Sequence, residues 1–161
     1  MKTKTSILSA FVLAICVLAL VVALLAQYVF GLRPCVLCLV QRGPFVLAAA
    51  LAAWSLRPAC PAATSRILLS LAGLALFVNG GIAIYHVGVE QHWWASAVCP
   101  GSDQSGPVSV ANLMAEMNKP VEVHCDQPAW SFHGITMAAL NIPFSGLLGL
   151  GILALVRKGG R

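Results

Sequence analysis

Two pairs of cysteines carry the chemistry that this sequence suggests. Cys35 and Cys38 form a C-x-x-C motif directly after Pro34, and 25 residues separate Cys99 from Cys125. Pro34 suits the first turn of a helix. Cysteines at a helix N-terminus favour the thiolate, because free N–H groups and the helix dipole stabilise negative charge. The motif therefore predicts thiol–disulfide exchange, in which a thiolate is both the nucleophile and the leaving group.

A cation follows the motif at helical spacing. Arg42 lies four residues after Cys38 and seven after Cys35, so a helix would place all three on one face with the cation nearest Cys38. We expect this arrangement to activate a thiolate.

The other four cysteines have different surroundings. A bridge between Cys99 and Cys125 would close a loop on an oxidising face, either as an inert staple or as an exchangeable bond. The loop has little apolar content to bury a bridge, and the first pair shares its side, which favours the exchangeable bond. We predict that Cys16 is a buried apolar side chain and that Cys60 is a reduced surface thiol.

A metal site is an alternative use of these residues. The C-x-x-C motif, two further cysteines and His124 could supply four tetrahedral ligands. The second half of the chain lacks the paired C-x-x-C or H-x-x-x-H spacing of zinc sites, so we predict no metal.

Composition places these residues in a membrane protein. Of 161 residues, 59% are hydrophobic and 9% are charged, which excludes an ordinary soluble domain. Four uncharged intervals are long enough, or nearly so, to cross a bilayer. We predict an all-α, integral membrane four-helix bundle with spans at about 7–29, 39–56, 67–88 and 134–156. The connecting segments are 30–38, 57–66 and 89–133, and we expect Pro128 and Pro143 at or near the ends of regular helix.

The second span contains an unusual charge. Only 14 uncharged residues separate Arg42 from Arg57, or roughly 21 Å of helix at 1.5 Å per residue. Extension back to Val36 gives about 31 Å, which matches the bilayer but puts Arg42 inside the helix near one boundary.

Charge distribution predicts the orientation. One side of the membrane receives seven basic and no acidic residues: Lys2, Lys4, Arg57, Arg66, Arg157, Lys158 and Arg161. The positive-inside rule makes that side cytoplasmic, with both termini inside and both cysteine pairs outside. The net charge of +5 thus indicates the membrane surface and not nucleic acid.

The long outer segment contains a helical pattern. Val110, Leu113, Met114 and Met117 fall at the spacing of a short amphipathic helix. We predict that it lies on the membrane surface, with packing on the protein's own loops as the alternative.

In combination, these features resemble the DsbB family of disulfide bond formation proteins. The shared features are four spans, a C-x-x-C in the first outer loop, arginine four residues later and a separated cysteine pair in the second loop. Tyr85-His86 and Trp130-Ser131-Phe132-His133-Gly134 add to the resemblance, which covers essentially the whole chain. Gln41, His133 and Leu140 depart from what we expect of relatives, which leaves the preference for partner and quinone open.

The resemblance implies a bacterial inner-membrane enzyme and an order of electron transfer. A reduced DsbA-like periplasmic thioredoxin-fold partner would attack a Cys99–Cys125 disulfide at Cys99. A transient Cys35–Cys125 bridge would then pass electrons to the first pair, with Cys38 facing ubiquinone or menaquinone. Arg42 would stabilise the thiolate and the reduced quinone, and His86 could hydrogen-bond a quinone carbonyl, although a histidine satisfied at the interface is equally compatible with the sequence.

Other functions remain open at this point. A paralogue that oxidises one dedicated periplasmic substrate would carry the same cysteines. A disulfide-stapled transporter or assembly subunit would have them without turnover. A haem bundle would need His86 and His92 together, but a spacing of six places them on different helix faces.

Overall fold

The structure is a computed structural model that describes residues 2–96, 98–99 and 123–159. Four long helices account for most of this part of the chain. They are α1 (Lys2–Tyr28), α2 (Val36–Ser55), α3 (Ala62–Glu90) and α4 (Met137–Lys158). Each contains a segment long and apolar enough to cross a membrane. The predicted all-α, four-helix membrane protein is confirmed.

Side chains at the first turns define where two helices begin. Cys35 is the N-cap of α2, and its sulfur accepts the backbone N–H of Cys38. Thr136 is the N-cap of α4, and its hydroxyl accepts the N–H of Ala139. Such caps satisfy N–H groups that the helix itself leaves without partners. Both caps lie at the end of the bundle where α3 terminates.

Helix α3 is the centre of the bundle and packs extensively against α4 and α2, while α1 packs mainly against α2. Small residues allow α3 and α4 to approach closely. A side chain added at Gly149 would meet the backbone of Phe77 and Gly73, and one added at Gly80 would meet Gly146. Close approach through small residues is a common way for membrane helices to associate.

The buried core runs along the helix interfaces and consists of Val12, Cys16, Phe45, Ala48, Ala52, Leu69, Ala72, Leu76, Ile152 and Val156. Many other large apolar side chains face outward, including Phe11, Leu18, Ile67 and Leu147. An exterior this apolar suits a lipid environment.

A short hairpin leads into α4. Strands β1 (Ser131–Phe132) and β2 (Ile135–Thr136) pair antiparallel. The two turn residues, His133 and Gly134, both have positive φ angles, as a two-residue type I′ hairpin turn requires.

The predicted position of Pro143 differs from the structure, and the predicted surface helix is untested. Pro143 is the seventh residue of α4 and lies inside the helix, so its expected place at or near a helix end is wrong. A membrane helix tolerates such a proline when its neighbours satisfy the freed backbone groups. The predicted surface helix containing Val110 and Met117 lies outside the described residues.

Candidate redox site

Both cysteine pairs lie together at one end of the bundle. Cys35, Cys99 and Cys125 belong to a single buried cluster, which Leu37 and Val89 complete. Cys38 packs against this cluster from α2, with Tyr85 and Val123 beside it. We call this group, with Cys38 included, the cysteine cluster. It brings together residues from the start of α2, the end of α3 and the segments that contain Cys99 and Cys125.

The two pairs are in different covalent states. Cys99 and Cys125 form a disulfide with their Cα atoms 6.0 Å apart. Cys35 and Cys38 are free thiols with their sulfurs 2.9 Å apart. The cluster therefore holds one disulfide and one dithiol in contact, which are the two reactants of thiol–disulfide exchange.

Cys35 is placed where a negative charge is stabilised. Its sulfur accepts the Cys38 backbone N–H at 3.3 Å, at the positive end of the α2 dipole. The hydrogen bond with the Cys38 thiol lowers the pKa of Cys35 well below its usual value, and His86 lowers it further against the opposing effect of burial. Cys35 is consequently the thiolate-forming member of the pair at the bundle end.

His86 makes direct contact with this sulfur. Its Nε2 lies 3.5 Å from Cys35 Sγ and 3.7 Å from Glu90 Oε1, and the residue is 2% exposed. On the other side of the ring, Nδ1 lies 2.8 Å from Gln41 Nε2. The residue thus belongs to the same site as the first cysteine pair. Its suggested contact with a quinone stays a prediction.

Further polar residues that sequence reasoning did not select extend the site into the bundle. Asn141 Nδ2 donates to Gln41 Oε1 at 2.6 Å, Ser145 Oγ donates to Asn141 Oδ1 at 2.6 Å, and Asn79 Nδ2 donates to Ser145 Oγ at 3.0 Å. Gln41 and Asn141 are 100 positions apart, so nothing local in the sequence links them. We call the series from Asn79 through Ser145, Asn141 and Gln41 to His86 the polar chain.

Glu90 is a further residue of the site that the sequence motifs did not indicate. It lies one helical turn beyond His86 and accepts a hydrogen bond from the Thr136 hydroxyl at 2.6 Å. Thr136 in turn caps α4. The i, i+4 spacing of His86 and Glu90 is the feature that could have revealed this contact.

Arg42 is directed toward α1. Its Nη1 donates to Gln27 Oε1 at 2.7 Å and its Nη2 donates to the Ala23 carbonyl at 3.4 Å. The guanidinium is half-buried, and these two bonds use two of its five N–H donors. These bonds join α2 to α1, while the predicted actions of Arg42 on Cys38 and on a quinone stay predictions.

The donor atoms of Cys35, Cys38 and His86 lie within 4.8 Å of one another, a set that a soft metal could use. This set differs from the one considered in the sequence, because the disulfide removes Cys99 and Cys125 as thiolate ligands. Cys35 and Cys38 lie at the N-terminus of α2 beside the disulfide, a position that also suits redox chemistry.

The two remaining cysteines lie away from the cluster. Cys16 is buried in the helix core. Cys60 is also buried, and its sulfur accepts a hydrogen bond from the Ser65 hydroxyl at 3.3 Å. The expectation of a surface thiol at Cys60 is therefore wrong, because the turn that contains it packs its sulfur against Ser65 of α3.

Fold and site together define a multi-pass membrane protein with a disulfide and a dithiol in contact at one end of its helix bundle. The family model for disulfide bond formation protein DsbB matches residues 5–155, so the chain belongs to the DsbB family. Its general activity is accordingly thiol–disulfide oxidoreduction in disulfide bond formation. Searches among curated proteins and among solved structures gave no match.

Proposed function

We propose that this protein oxidises a DsbA-like periplasmic thioredoxin-fold dithiol protein and passes the electrons through its two cysteine pairs to a membrane quinone. The observation that carries the proposal is the packing of Cys35, Cys99 and Cys125 in one buried cluster, with Cys38 against it. Disulfide exchange needs sulfur to reach sulfur, and this cluster brings the two pairs within one contact region.

In the first step, a thiolate of the partner attacks Cys99 and breaks its bond to Cys125. The partner's second thiol then resolves the mixed disulfide, so the partner leaves oxidised. Cys99 and Cys125 gain two electrons and two protons in the process. Cys99 and Cys125 lie outside the four helices, which supports their role toward a protein partner. Contrary to the expectation of an unburied bridge, they are only 5% and 1% exposed, so attack by the partner would require the segment around Cys99 to move.

The second step moves these electrons to the C-x-x-C pair. Cys125 attacks Cys35 in a Cys35–Cys38 disulfide and releases Cys38. Cys99 then attacks Cys125, which restores the Cys99–Cys125 disulfide and releases Cys35. The described arrangement, with the outer pair bridged and the C-x-x-C pair reduced, corresponds to the state at the end of this step.

Reoxidation of the C-x-x-C pair completes the cycle. A quinone held beside Cys38 would supply the oxidant for this step, since a quinone can accept the two electrons and two protons that the dithiol loses. Cys38 is half-buried whereas Cys35 is buried, which supports Cys38 as the sulfur facing the acceptor. Cys35, with its lowered pKa, is suited to attack Cys38 and reform the disulfide. The remaining N–H donors of Arg42 would bind the oxygen atoms of the acceptor.

We further propose that the chain lies in the bacterial inner membrane with the cysteine cluster on the periplasmic side. Arg57, Arg66 and the last turn of α4, which carries Arg157 and Lys158, lie at the opposite ends of their helices from the cluster. This distribution supports a cytoplasmic location for the basic end.

Turnover with purified protein tests this function. The protein is mixed with a reduced thioredoxin-fold dithiol protein and either a short-chain ubiquinone or a short-chain menaquinone, and the quinone absorbance is followed. We expect quinone loss in the wild type, near-complete loss of turnover in Cys38→Ser and unchanged turnover in Cys60→Ser. No quinone loss in the wild type, or full turnover in Cys38→Ser, would overturn the proposal and favour a disulfide-stapled subunit.

A further inference from the structure

We propose that the polar chain fixes His86 as the tautomer with its proton on Nε2 and thereby makes the ring a hydrogen-bond donor to the Cys35 thiolate. Asn79, Ser145, Asn141 and Gln41 would then be positioning residues that act on the redox pair through His86. This inference rests on the proposed function only in assigning Cys35 to the exchange reaction.

The Ser145 hydroxyl determines how the neighbouring amide groups are oriented. The Ser145 hydroxyl has one proton, which it donates to Asn141 Oδ1, while its oxygen accepts from Asn79. Asn141 must therefore turn its NH2 group toward Gln41 Oε1. Each group that accepts on one side donates on the other, so the bonds run in one direction.

The direction of these hydrogen bonds decides which nitrogen of the His86 ring carries the proton. With its oxygen bonded to Asn141, Gln41 presents its NH2 group to His86 Nδ1 at 2.8 Å. An NH2 group only donates, so Nδ1 must accept, and a neutral imidazole then carries its proton on Nε2. That proton points toward Cys35 Sγ at 3.5 Å and Glu90 Oε1 at 3.7 Å.

The titratable groups around His86 Nε2 are consistent with a hydrogen-bond donor at that atom. Within the described part of the chain, Cys38 from α2 and Glu90 from α3 contact Cys35 or the ring, and Tyr85 from α3 packs against the cysteine cluster. All three side chains would be anionic when ionised. The described contacts of α4 with the polar chain come from neutral side chains, Asn141 and Ser145. Asp126, next to Cys125, is 3.8 Å from His92. A donor held at Nε2 would stabilise negative charge on either acceptor.

Burying the side chains of the polar chain costs free energy, so their presence in the bundle indicates a role. Asn79 and Ser145 are fully buried and Gln41 is 6% exposed, in a bundle whose other core residues are largely apolar. Polar side chains inside membrane bundles are rare and tend to mark function. The alternative is that the polar chain only aligns α2, α3 and α4. In that case, interrupting the polar chain would leave the pKa of Cys35 unchanged.

The first test needs no substitution. Protein labelled with ¹⁵N-histidine is examined in micelles by long-range ¹H–¹⁵N correlation, and His86→Gln identifies the His86 signals. We expect a neutral ring protonated at Nε2 when the C-x-x-C pair is reduced. A proton on Nδ1, in either a neutral or a cationic ring, would overturn the proposal.

The second test separates positioning from folding. Asn141→Leu and Ser145→Ala interrupt the chain without touching Cys35 or His86. Ser55→Ala is the matched control, because it removes a buried hydroxyl pair with Ser9, 2.9 Å long, at another place on α2. The readout is the pH titration of thiolate absorbance in reduced protein, measured as the difference from the same protein carrying Cys35→Ser.

We expect both chain variants to raise the apparent pKa of Cys35 by about one pH unit, equivalent to a tenfold weaker preference for the thiolate, and the control to leave it unchanged. An unchanged pKa in both chain variants, or an equal rise in Ser55→Ala, would overturn the proposal. Neither test uses a quinone or a partner, so this result is independent of the turnover assay.

Discussion

At the residue scale, Cys35 is where the contributions to the site meet. Its sulfur contacts the Cys38 thiol, the Cys38 backbone N–H and His86 Nε2, and it packs in the cluster that contains the disulfide. The motif alone predicted cysteines at a helix N-terminus. The position of Arg42 in the sequence favoured Cys38 as the thiolate, whereas the contacts in the structure favour Cys35. The motif could not predict the contact of Cys35 with His86, because the two residues are 51 positions apart and meet only through the packing of α2 on α3.

The lowered pKa of Cys35 predicts an unusual pH profile for its alkylation. In reduced protein, the thiolate persists as the pH falls, until the pH passes through the lowered pKa. We therefore expect the rate with iodoacetamide to be nearly flat between about pH 6 and about pH 8, whereas an ordinary thiol changes by about tenfold per unit over most of that range. Mass spectrometry of the Cys35 peptide measures the rate.

The same cysteine in denatured protein is the reference for that profile. It should show the steep dependence of an ordinary thiol. If folded and denatured protein gave the same steep profile, the folded site would not stabilise the Cys35 thiolate.

Arg42 is predicted to act on the acceptor and not on the protein partner. Arg42→Ala removes the donors held between α1 and α2, so we expect KM for the quinone to rise by about tenfold or more while KM for the reduced partner stays the same. Steady-state kinetics with each substrate varied in turn measures both values. Arg33→Ala, another cation near the start of α2, is the control and should change neither. A rise in KM for the partner alone would contradict the assignment of Arg42.

At the element scale, the contact between α3 and α4 positions the polar chain. Asn79 and His86 are on α3 and Asn141 and Ser145 are on α4, so their bonds require the close approach that Gly149 permits. The sequence revealed the helices through their uncharged intervals. It did not reveal which helix faces meet, since small and apolar residues are spread along both helices.

Gly149→Ala is expected to destabilise the bundle. The added Cβ would lie 2.5 Å from Phe77 N and 2.6 Å from the Gly73 oxygen, both of which are backbone atoms that move only with the helix. Overpacking of this kind costs about 1–3 kcal/mol. Thermal unfolding in detergent, followed by helical circular dichroism, measures the loss as a lower Tm.

Gly151→Ala on the same helix is the comparison, because nothing lies within 4 Å of its added Cβ. Both substitutions gain the same helix propensity. Equal Tm values for the two variants would mean that the α3–α4 contact is looser than described.

At the scale of the whole molecule, the arrangement has two chemically distinct ends. The cysteine cluster, Glu90 and the hairpin before α4 lie at one end, and Arg57, Arg66, Arg157 and Lys158 lie at the other. The number of spans followed from composition because the bilayer demands long apolar segments. The mutual contact of the two cysteine pairs could not follow from composition, since the second pair lies in loops whose path depends on tertiary packing.

This polarity predicts the topology. A green fluorescent protein fused after Arg161 should fluoresce and alkaline phosphatase at the same place should be inactive, because the positive-inside rule puts that end in the cytoplasm. Fusions after Gln91, at the end of α3, should give the reverse pattern and serve as the control. Active phosphatase after Arg161 would invert the proposed orientation.

If the two cysteine pairs work in series, a disulfide bridge between them must form during turnover, and this bridge can be detected. Wild-type protein turning over reduced thioredoxin-fold partner and quinone is quenched with acid at successive times, and disulfide-linked peptides are identified by mass spectrometry. The account predicts a Cys35–Cys125 peptide that appears and decays during turnover and never forms in Cys125→Ser. Quinone consumption without this peptide above the level of random bridges to Cys16 or Cys60 would contradict it.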